Sequence, residues 1–365
     1  MKFKKFLSSA MVLMVLLFSI TACGNGGKEN VSGQDNSGTE QSDVNVSKSE
    51  VKTSTSGLVK IICPYGVGGT ADIVARRYAQ VAGELFPQYN FIVEQKTGGD
   101  GFVGASTFER SDPNDQQLFV LGYGNTYRHA LGKKFNTEQV PYDLDNFDPL
   151  ATIDDRTWIL YGRPDQTLEN VLQLSKDGKL KMSGGAPLSD PHLALGSLLA
   201  LEGGKVTVVS YDGGAAQKQG LTNGEVDVFV GTSQAGMEDV EAGTMIPILA
   251  FSDKTFEDFK GPEGKLSVPC LAGEGIHKAL DSSKDYTGSI LPAGGYVAAH
   301  AKADEAFKED IINISKEVWK TPEFSDWIKE IGLNHFELYG KEAKDFMFQA
   351  IDKAVKAYEL LSGTN

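Results

Sequence analysis

From Leu58 onward, short apolar runs alternate with glycine-rich turns and helical patterns, and this alternation constrains the fold more than any other feature. Leu58-Val-Lys-Ile-Ile-Cys63 reads as a buried strand, and Thr70 to Phe86 as a helix closed by Pro87. Asn90-Phe-Ile-Val-Glu94 gives a second strand, Gly104 to Arg110 a short helix, and Gln117-Leu-Phe-Val-Leu121 a third strand. A β-α-β-α-β order needs parallel strands with helical crossovers, hence a doubly wound α/β sheet. The pattern returns with strands at Leu180-Lys-Met182, Val206 to Ser210, Val226 to Val230 and Ile246 to Ala250, and with helices around His192–Leu201 and Ala215–Asn223. Phe307, Ile311, Ile314 and Val318 keep the spacing of one apolar helix face, as do Met347, Ile351, Ala354, Tyr358 and Leu361. Both stripes are expected in the core.

A chain of 365 residues is long enough for two such domains, each with its own apolar interior. Its 35 Lys+Arg stand against 49 Asp+Glu, a formal net charge of −14. That balance argues against nucleic acid, whose affinity rests on neutralising phosphates, and against direct binding to an anionic membrane surface.

The first residues set the compartment. Lys2, Lys4 and Lys5 precede the apolar run Ala10 to Phe18, too short to span a bilayer and the right length for a signal-peptide core. Ile20-Thr21-Ala22-Cys23 follows, which resembles a bacterial lipobox with Cys23 as the acylated residue. Residues 1–22 are therefore expected to be a lipoprotein signal peptide, and residues 23–57, poor in apolar side chains, a lipidated disordered tether. The leader has three lysines and no acid, so the mature chain stands at −17. Lipid anchor plus tether favours a soluble, monomeric receptor working beside a membrane partner. Cys63 and Cys270 are expected as two separate thiols.

The chemistry-bearing residues are sparse. Five histidines (129, 192, 277, 300 and 335) show no metal-ligand spacing and read as hydrogen-bonding residues. No nucleophile-and-base pair stands out, so neither catalysis, a metal nor a cofactor is expected. The informative segment is Pro64-Tyr-Gly-Val-Gly-Gly-Thr-Ala-Asp72, at the junction of the first strand and helix, where glycines admit a ligand to backbone N–H groups and the helix end favours anions. Gly66-x-Gly68-x-x-Ala71 also matches a dinucleotide fingerprint, with Glu94 where a ribose-binding acid would sit, so an exported nucleotide-dependent enzyme is the rival reading. A non-transport ligand sensor is a third. Similar turns follow at Lys96–Gly104, Met182–His192 and Tyr211–Ala215. In doubly wound sheets such turns gather at one edge, and two facing edges make a cleft rich in N–H donors.

These motifs, taken in order, resemble the extracytoplasmic substrate-binding proteins of tripartite tricarboxylate transporters, the Bug-type receptors. The resemblance rests on Pro64-Tyr65 with Gly68-Gly69-Thr70-Ala71-Asp72; on Gly98, Gly101, Gly104 and Ala105; on Ser183-Gly184 through His192-Leu193; on Val209-Ser-Tyr211-Asp212-Gly213; and on Gly224-Glu-Val-Asp227. It covers about Leu58 to Leu361. It implies a type II periplasmic-binding fold of two α/β domains joined by a hinge, residues 58–155 plus 289–365 forming the first and 156–288 the second. It further implies a small carboxylate ligand and integral-membrane transporter subunits as partners. Tyr65, Gly68, Gly69 and Thr70 would flank the carboxylate, with Gly101, Asn125 and Thr126 nearby, and Ser183, Gly184, Gly185 and Tyr211 would close on it from the second domain. Tyr65 and Tyr211 are equally compatible with packing at the rim. Asp72 can complement the dipole of the first helix or meet a ligand ammonium, the former being the stronger expectation. Arg128, Arg156 and Arg163 could pair with a distal carboxylate of the ligand, surface ion pairs being the stronger expectation. Asp212 in place of the usual Lys, Ser210 in place of Pro, and Asn114-Asp115-Gln116 in place of an Asp-Gly-Tyr turn depart from the pattern and leave the ligand open.

Overall fold

A computed structural model describes residues 51–363. The leader, Cys23 and the tether as far as residue 50 lie outside the described residues. Among the described residues no helix is long and apolar enough to cross a membrane.

The first lobe begins β1 (Gly57–Cys63), α1 (Thr70–Leu85), β2 (Tyr89–Gln95), α2 (Phe102–Glu109), β3 (Gln117–Gly122), α3 (Tyr123–Phe135) and β4 (Phe147–Asp155). The chain then crosses to a second lobe: β5 (Trp158–Gly162), α4 (Leu168–Lys176), β6 (Lys181–Gly184), α5 (Asp190–Leu201), β7 (Thr207–Ser210), α6 (Gly214–Thr222), β8 (Val228–Thr232), α7 (Ser233–Glu241) and β9 (Ile246–Ala250), with a hairpin of β10 (Phe256–Gly261) and β11 (Gly264–Val268). It returns through β12 (Gly294–His300) and ends in α8 (Glu305–Lys320), α9 (Pro322–Glu330) and α10 (Lys341–Ser362).

The sheet orders are β2-β1-β3-β12-β4 and β7-β6-β8-β5-β9. β1 is parallel to β2 and β3, and β6 is parallel to β7 and β8. Each sheet also takes one strand in the opposite sense: β12 is antiparallel to β3 and β4, and β5 to β8 and β9. Four of the five strands of each sheet thus run in one sense, as the repeated β-α reading expects. The reversed strands are those by which the chain enters the second lobe and re-enters the first.

The inner parallel strands β1, β3, β6 and β8 present runs buried on both faces, whereas the edge strands β2 and β7 are half-buried. Val59, Ile61 and Cys63 pack toward α1, while Ile62 faces α2 and α3. On α8, Phe307, Ile311, Ile314 and Val318 are all buried, as their spacing predicts. On α10 the buried stripe is Ala343, Met347, Ala350, Ala354 and Ala357, while Ile351 and Tyr358 pack at its edge. The small residues bring α10 against α5 and α3. The approach is so close that a Cβ on Gly196 of α5 would lie 2.1 Å from Leu361. One apolar core therefore runs from the first lobe through α3, α10 and α5 into the second. The lobes are joined along their back by this packing as well as by the two crossings.

The N-terminal approach to β1 is fastened. Ser54 and Thr55 donate their backbone N–H groups to the buried Asp310 carboxylate at 2.9 and 2.6 Å, and Tyr89 donates its hydroxyl to the same carboxylate at 3.0 Å. Residues 54–57, assigned from composition to the tether, are fixed to α8 and β2 instead. Composition is silent here because the fastening uses backbone donors. Cys63 and Cys270 are both buried free thiols.

Candidate functional site

Both sheets point the C-terminal ends of their parallel strands at one cavity of about 1030 Å³. Six helices begin at those ends, and residues from the first turn of α1, α2, α3, α5, α6 and α7 all line the cavity. The first N–H groups of a helix have no partner within it and carry about half a positive charge in sum, so the shared wall favours an anion.

The turn into α1 is held from beneath. Gly68, at φ +79°, donates its N–H to the Asp72 carboxylate at 2.9 Å. The other oxygen of Asp72 accepts from Arg76 Nε at 2.9 Å and from Gln95 Nε2. Asp72 is 1% exposed and lies off the cavity wall, so the structure gives it the supporting role and not ligand contact. Tyr65 reaches across β3: its hydroxyl donates to Asn125 Oδ1 at 2.5 Å, and a Cβ on Gly122 would collide with it at 2.3 Å. Burial pushes the Tyr65 phenol well above its ordinary range, aided by the nearby Asp100 and Asp190 charges, so it stays a neutral hydrogen-bonding group. Thr70 Oγ1 bridges the cleft, donating to Gln234 Oε1 at 3.0 Å and lying 3.2 Å from Thr232 Oγ1.

The turn into α5 is built differently. Leu188 sits at φ +62°, a left-handed conformation that favours glycine. Its N–H donates to His192 Nδ1 at 2.9 Å, and burial lowers the pKa of His192 to about 4, so the ring is a neutral acceptor. Ser183 Oγ and Ser189 Oγ are buried without a hydrogen-bond partner, as is Trp158 Nε1. Ser189 and Trp158 lie on the cavity wall.

Charge inside the cleft is mostly internal. Arg128 chelates Glu138 at 2.8 and 2.5 Å, reaches Asp100 at 3.4 Å and lies 3.9 Å over the Phe102 ring. Arg156 is bound to Asp154. Neither arginine is a surface pair: Arg128's side chain is 7% exposed and Arg156's 12%. Arg163 is different again, donating to the backbone carbonyls of Leu221 and Val226 at 3.2 and 2.8 Å. All five histidines hold hydrogen bonds, four to backbone N–H groups and His335 to Glu337.

The chain is 27% identical to a UPF0065 protein of Bordetella pertussis over 202 residues, 54% of this chain and 61% of that one. It is 25% identical to a UPF0065 protein of Cupriavidus necator over 253 residues, 69% and 73% respectively. The match thus spans about three fifths of the first relative's length. No family model matches the chain. Among solved structures, a Rhodopseudomonas palustris protein with adipate superposes with a TM-score of 0.69 at 17% identity, covering 84% of this chain and 97% of the other. MatC from the same organism, with bound malate, gives 0.68 at 15%, covering 84% and 99%. The periplasmic binding protein BugD gives 0.66 at 16%, covering 84% and 97%. The fold is that of the Bug-type binding proteins. The resemblance carried by the glycine motifs therefore stands, as does the two-lobed α/β architecture. Two further neighbours are described as a periplasmic transporter and a TctC solute binding protein.

The structure brings Tyr65, Gly68, Gly69, Thr70 and Gly101 of the first lobe and Gly185 and Tyr211 of the second around this one cavity. Asn125 stands directly behind the cavity wall, holding Tyr65 and lying within 2.7 Å of where a Gly101 Cβ would be. Thr126, Ser183 and Gly184 are buried behind the wall, Thr126 donating to the Tyr123 carbonyl at 2.8 Å. Tyr211 turns its hydroxyl outward to Glu225 at 2.7 Å. The dinucleotide reading fails in space: Glu94 lies off the cavity, beside Lys60 and Lys96 at 3.7 and 4.0 Å, and Gly68's N–H is already taken by Asp72. Sequence reasoning missed Trp158, Ser189, Asp190, Thr232 and Gln234. Ser189 and Asp190 sit in a turn already marked by its glycines, whereas Trp158 and Gln234 carry no local signal and reach the cleft only through the second sheet.

Proposed function

We propose that this chain is an extracytoplasmic receptor, anchored by lipid on Cys23, that captures a small carboxylate and presents it to the integral-membrane subunits of a tripartite tricarboxylate-type transporter. The observation that carries the reading is the convergence of six helix N-termini on one cavity that also holds buried, unpartnered donors at Trp158 and Ser189. A carboxylate placed there would take up N–H and O–H groups that lack partners, at little desolvation cost to the protein. The solved neighbours with adipate and malate support the ligand class, and the lysine-flanked apolar leader ending in Thr21-Ala22-Cys23 supports the anchor.

In this reading Tyr65, Gly69 and Thr70 border the ligand from the first lobe, on a turn that Gly68 fixes through Asp72, and Gly185, Ser189 and Trp158 border it from the second. Binding favours the closed state because the ligand touches both lobes. The buried joint of α3, α5 and α10 forms the back of that motion, so opening occurs at the glycine-rich mouth. A thermal-shift and calorimetric screen of mono-, di- and tricarboxylates tests the reading, with stabilisation expected from at least one member. Silence from every carboxylate beside a response to sugars or metal cations would refute it. Gly69→Trp, which fills the mouth of the first turn, is expected to abolish the response while the far-UV spectrum stays unchanged.

A further inference from the structure

Asp100, Glu138, Asp190, Asp212 and Glu238 line the cleft with Asp154 behind them, beside three cations, Arg128, Arg156 and Lys218. All three cations are committed: Arg128 to Glu138 and more loosely to Asp100, Arg156 to Asp154, and Lys218 to Asp239 at 2.6 Å. Asp190 is left over. Among the described residues no side chain ion-pairs or hydrogen-bonds with it, and the one donor it draws on is its own backbone N–H. It nevertheless sits on the cavity wall at the start of α5 and reaches the opposite lobe, where a Cβ on Gly124 would lie 2.5 Å from Oδ1. Asp100 makes the converse crossing: it belongs to the first lobe, and a Cβ on Gly185 of the second would lie 2.8 Å from its Oδ1. The two acids thus flank the same stretch of the cleft from opposite sides. Next to Asp190, Ser189 and Trp158 also line the cavity, and among the described residues the Ser189 hydroxyl and the Trp158 indole N–H are buried without a hydrogen-bond partner.

A dicarboxylate placed here would find N–H donors for one end and no free cation for the other, with two acids close by. We infer, on the receptor reading above, that the preferred ligand is a carboxylate that also carries a protonated amine, its carboxylate meeting the helix N-termini with Ser189 and Trp158, and its ammonium meeting Asp190 and Asp100. The ammonium supplies the cation that Asp190 lacks and brings the cleft nearer to neutrality. It also explains why the acids can coexist with an anion-favouring wall, since the two ends of one zwitterion separate those demands. Burial, together with the neighbouring Asp100 charge, holds the Asp190 carboxyl up to about 7, as expected of an acid waiting for a counter-ion.

The test is calorimetry on the soluble mature chain with a panel of α- and ω-amino acids and their amine-free mono- and dicarboxylate counterparts, among them aspartate against succinate and 6-aminohexanoate against adipate. The expected result is that the tightest ligand bears an amine and exceeds its amine-free counterpart by about tenfold or more, an advantage that Asp190→Asn removes. If the tightest ligand is amine-free, or if Asp190→Asn leaves the ratio unchanged, the inference is overturned while the receptor reading stands. If no member of the panel binds, the inference is overturned, and the receptor reading falls as well if tricarboxylates are silent in the same assay. Should Asp190→Asn fail to fold, the wild-type ranking still decides the ligand class, and Asp100→Asn provides a second variant, expected to reduce the same ratio.

Discussion

The two glycine-marked turns that face each other across the cleft start from the same design and end differently. The turn into α1 is complete in itself: Gly68's N–H, Asp72, Arg76 and Gln95 satisfy one another, and the glycine takes the left-handed conformation without strain. The turn into α5 is incomplete. It places Leu188, a residue with a Cβ, in the left-handed region, leaves Ser183 and Ser189 without partners, and leaves Asp190 without a counter-charge. A finished turn acts as a fixed wall, whereas an unfinished one has open valences for a ligand. The difference suggests that the second lobe supplies selectivity on a platform provided by the first.

Breaking the finished turn should have the largest effect on the fold. Asp72→Ala removes the acceptor of three donors at a buried position, and an expected loss of about 2–3 kcal/mol is measurable by urea unfolding. A loss below a few tenths would mean that the turn does not depend on its carboxylate. The unfinished turn should respond in the opposite direction. Because the Asp190 carboxyl is raised from 3.8 to about 7 in the folded chain, the stability it contributes is fully present below its unfolded pKa and is lost as pH rises through about 7. Asp190→Asn should therefore stabilise the ligand-free protein at pH 8 by about 1–2 kcal/mol, once solvent in the open cleft screens the charge, with the gain fading toward pH 4. Melting temperatures of both proteins across that range check the sign, and a constant difference would contradict it. Leu188→Gly is the smallest step. It should relieve the left-handed strain by about 1 kcal/mol and, by loosening the turn held by His192, weaken ligand binding at the same time. Unfolding and calorimetry on the same variant separate the two effects.

Much of the first turn was legible in the sequence. Glycine at 68 and an acid at 72 form a local pattern, and local hydrogen bonding explains both. The second turn was legible as a position but not as a chemistry, since nothing within Met182–His192 reveals that Asp190 finds no cation. Arg128 and Arg156 read as surface charges because a guanidinium gives no sign of its burial in one dimension; their acids, Glu138 and Asp154, are chosen by the way α3 and β4 come to lie in the fold. The antiparallel strands β5 and β12 were not read as strands from the sequence, and their sense is equally hidden in one dimension. A buried strand's apolar run is the same in either direction, and only the path of the chain between lobes fixes the sense.

What the sequence determined alone was a set of local units: seven of the twelve strands, the helix face at Phe307–Val318, and the glycine-rich turns ahead of α1, α2, α5 and α6. These follow from backbone sterics and from apolar periodicity, which act over a few residues. What the tertiary structure decided was which units meet. The α10 stripe of alanines binds both lobes into one core, six helix ends gather at one cavity, and Asp190 is carried to the far lobe with no partner. These outcomes depend on contacts between residues far apart in the chain, where burial makes each charge and each donor sensitive to what the fold places beside it.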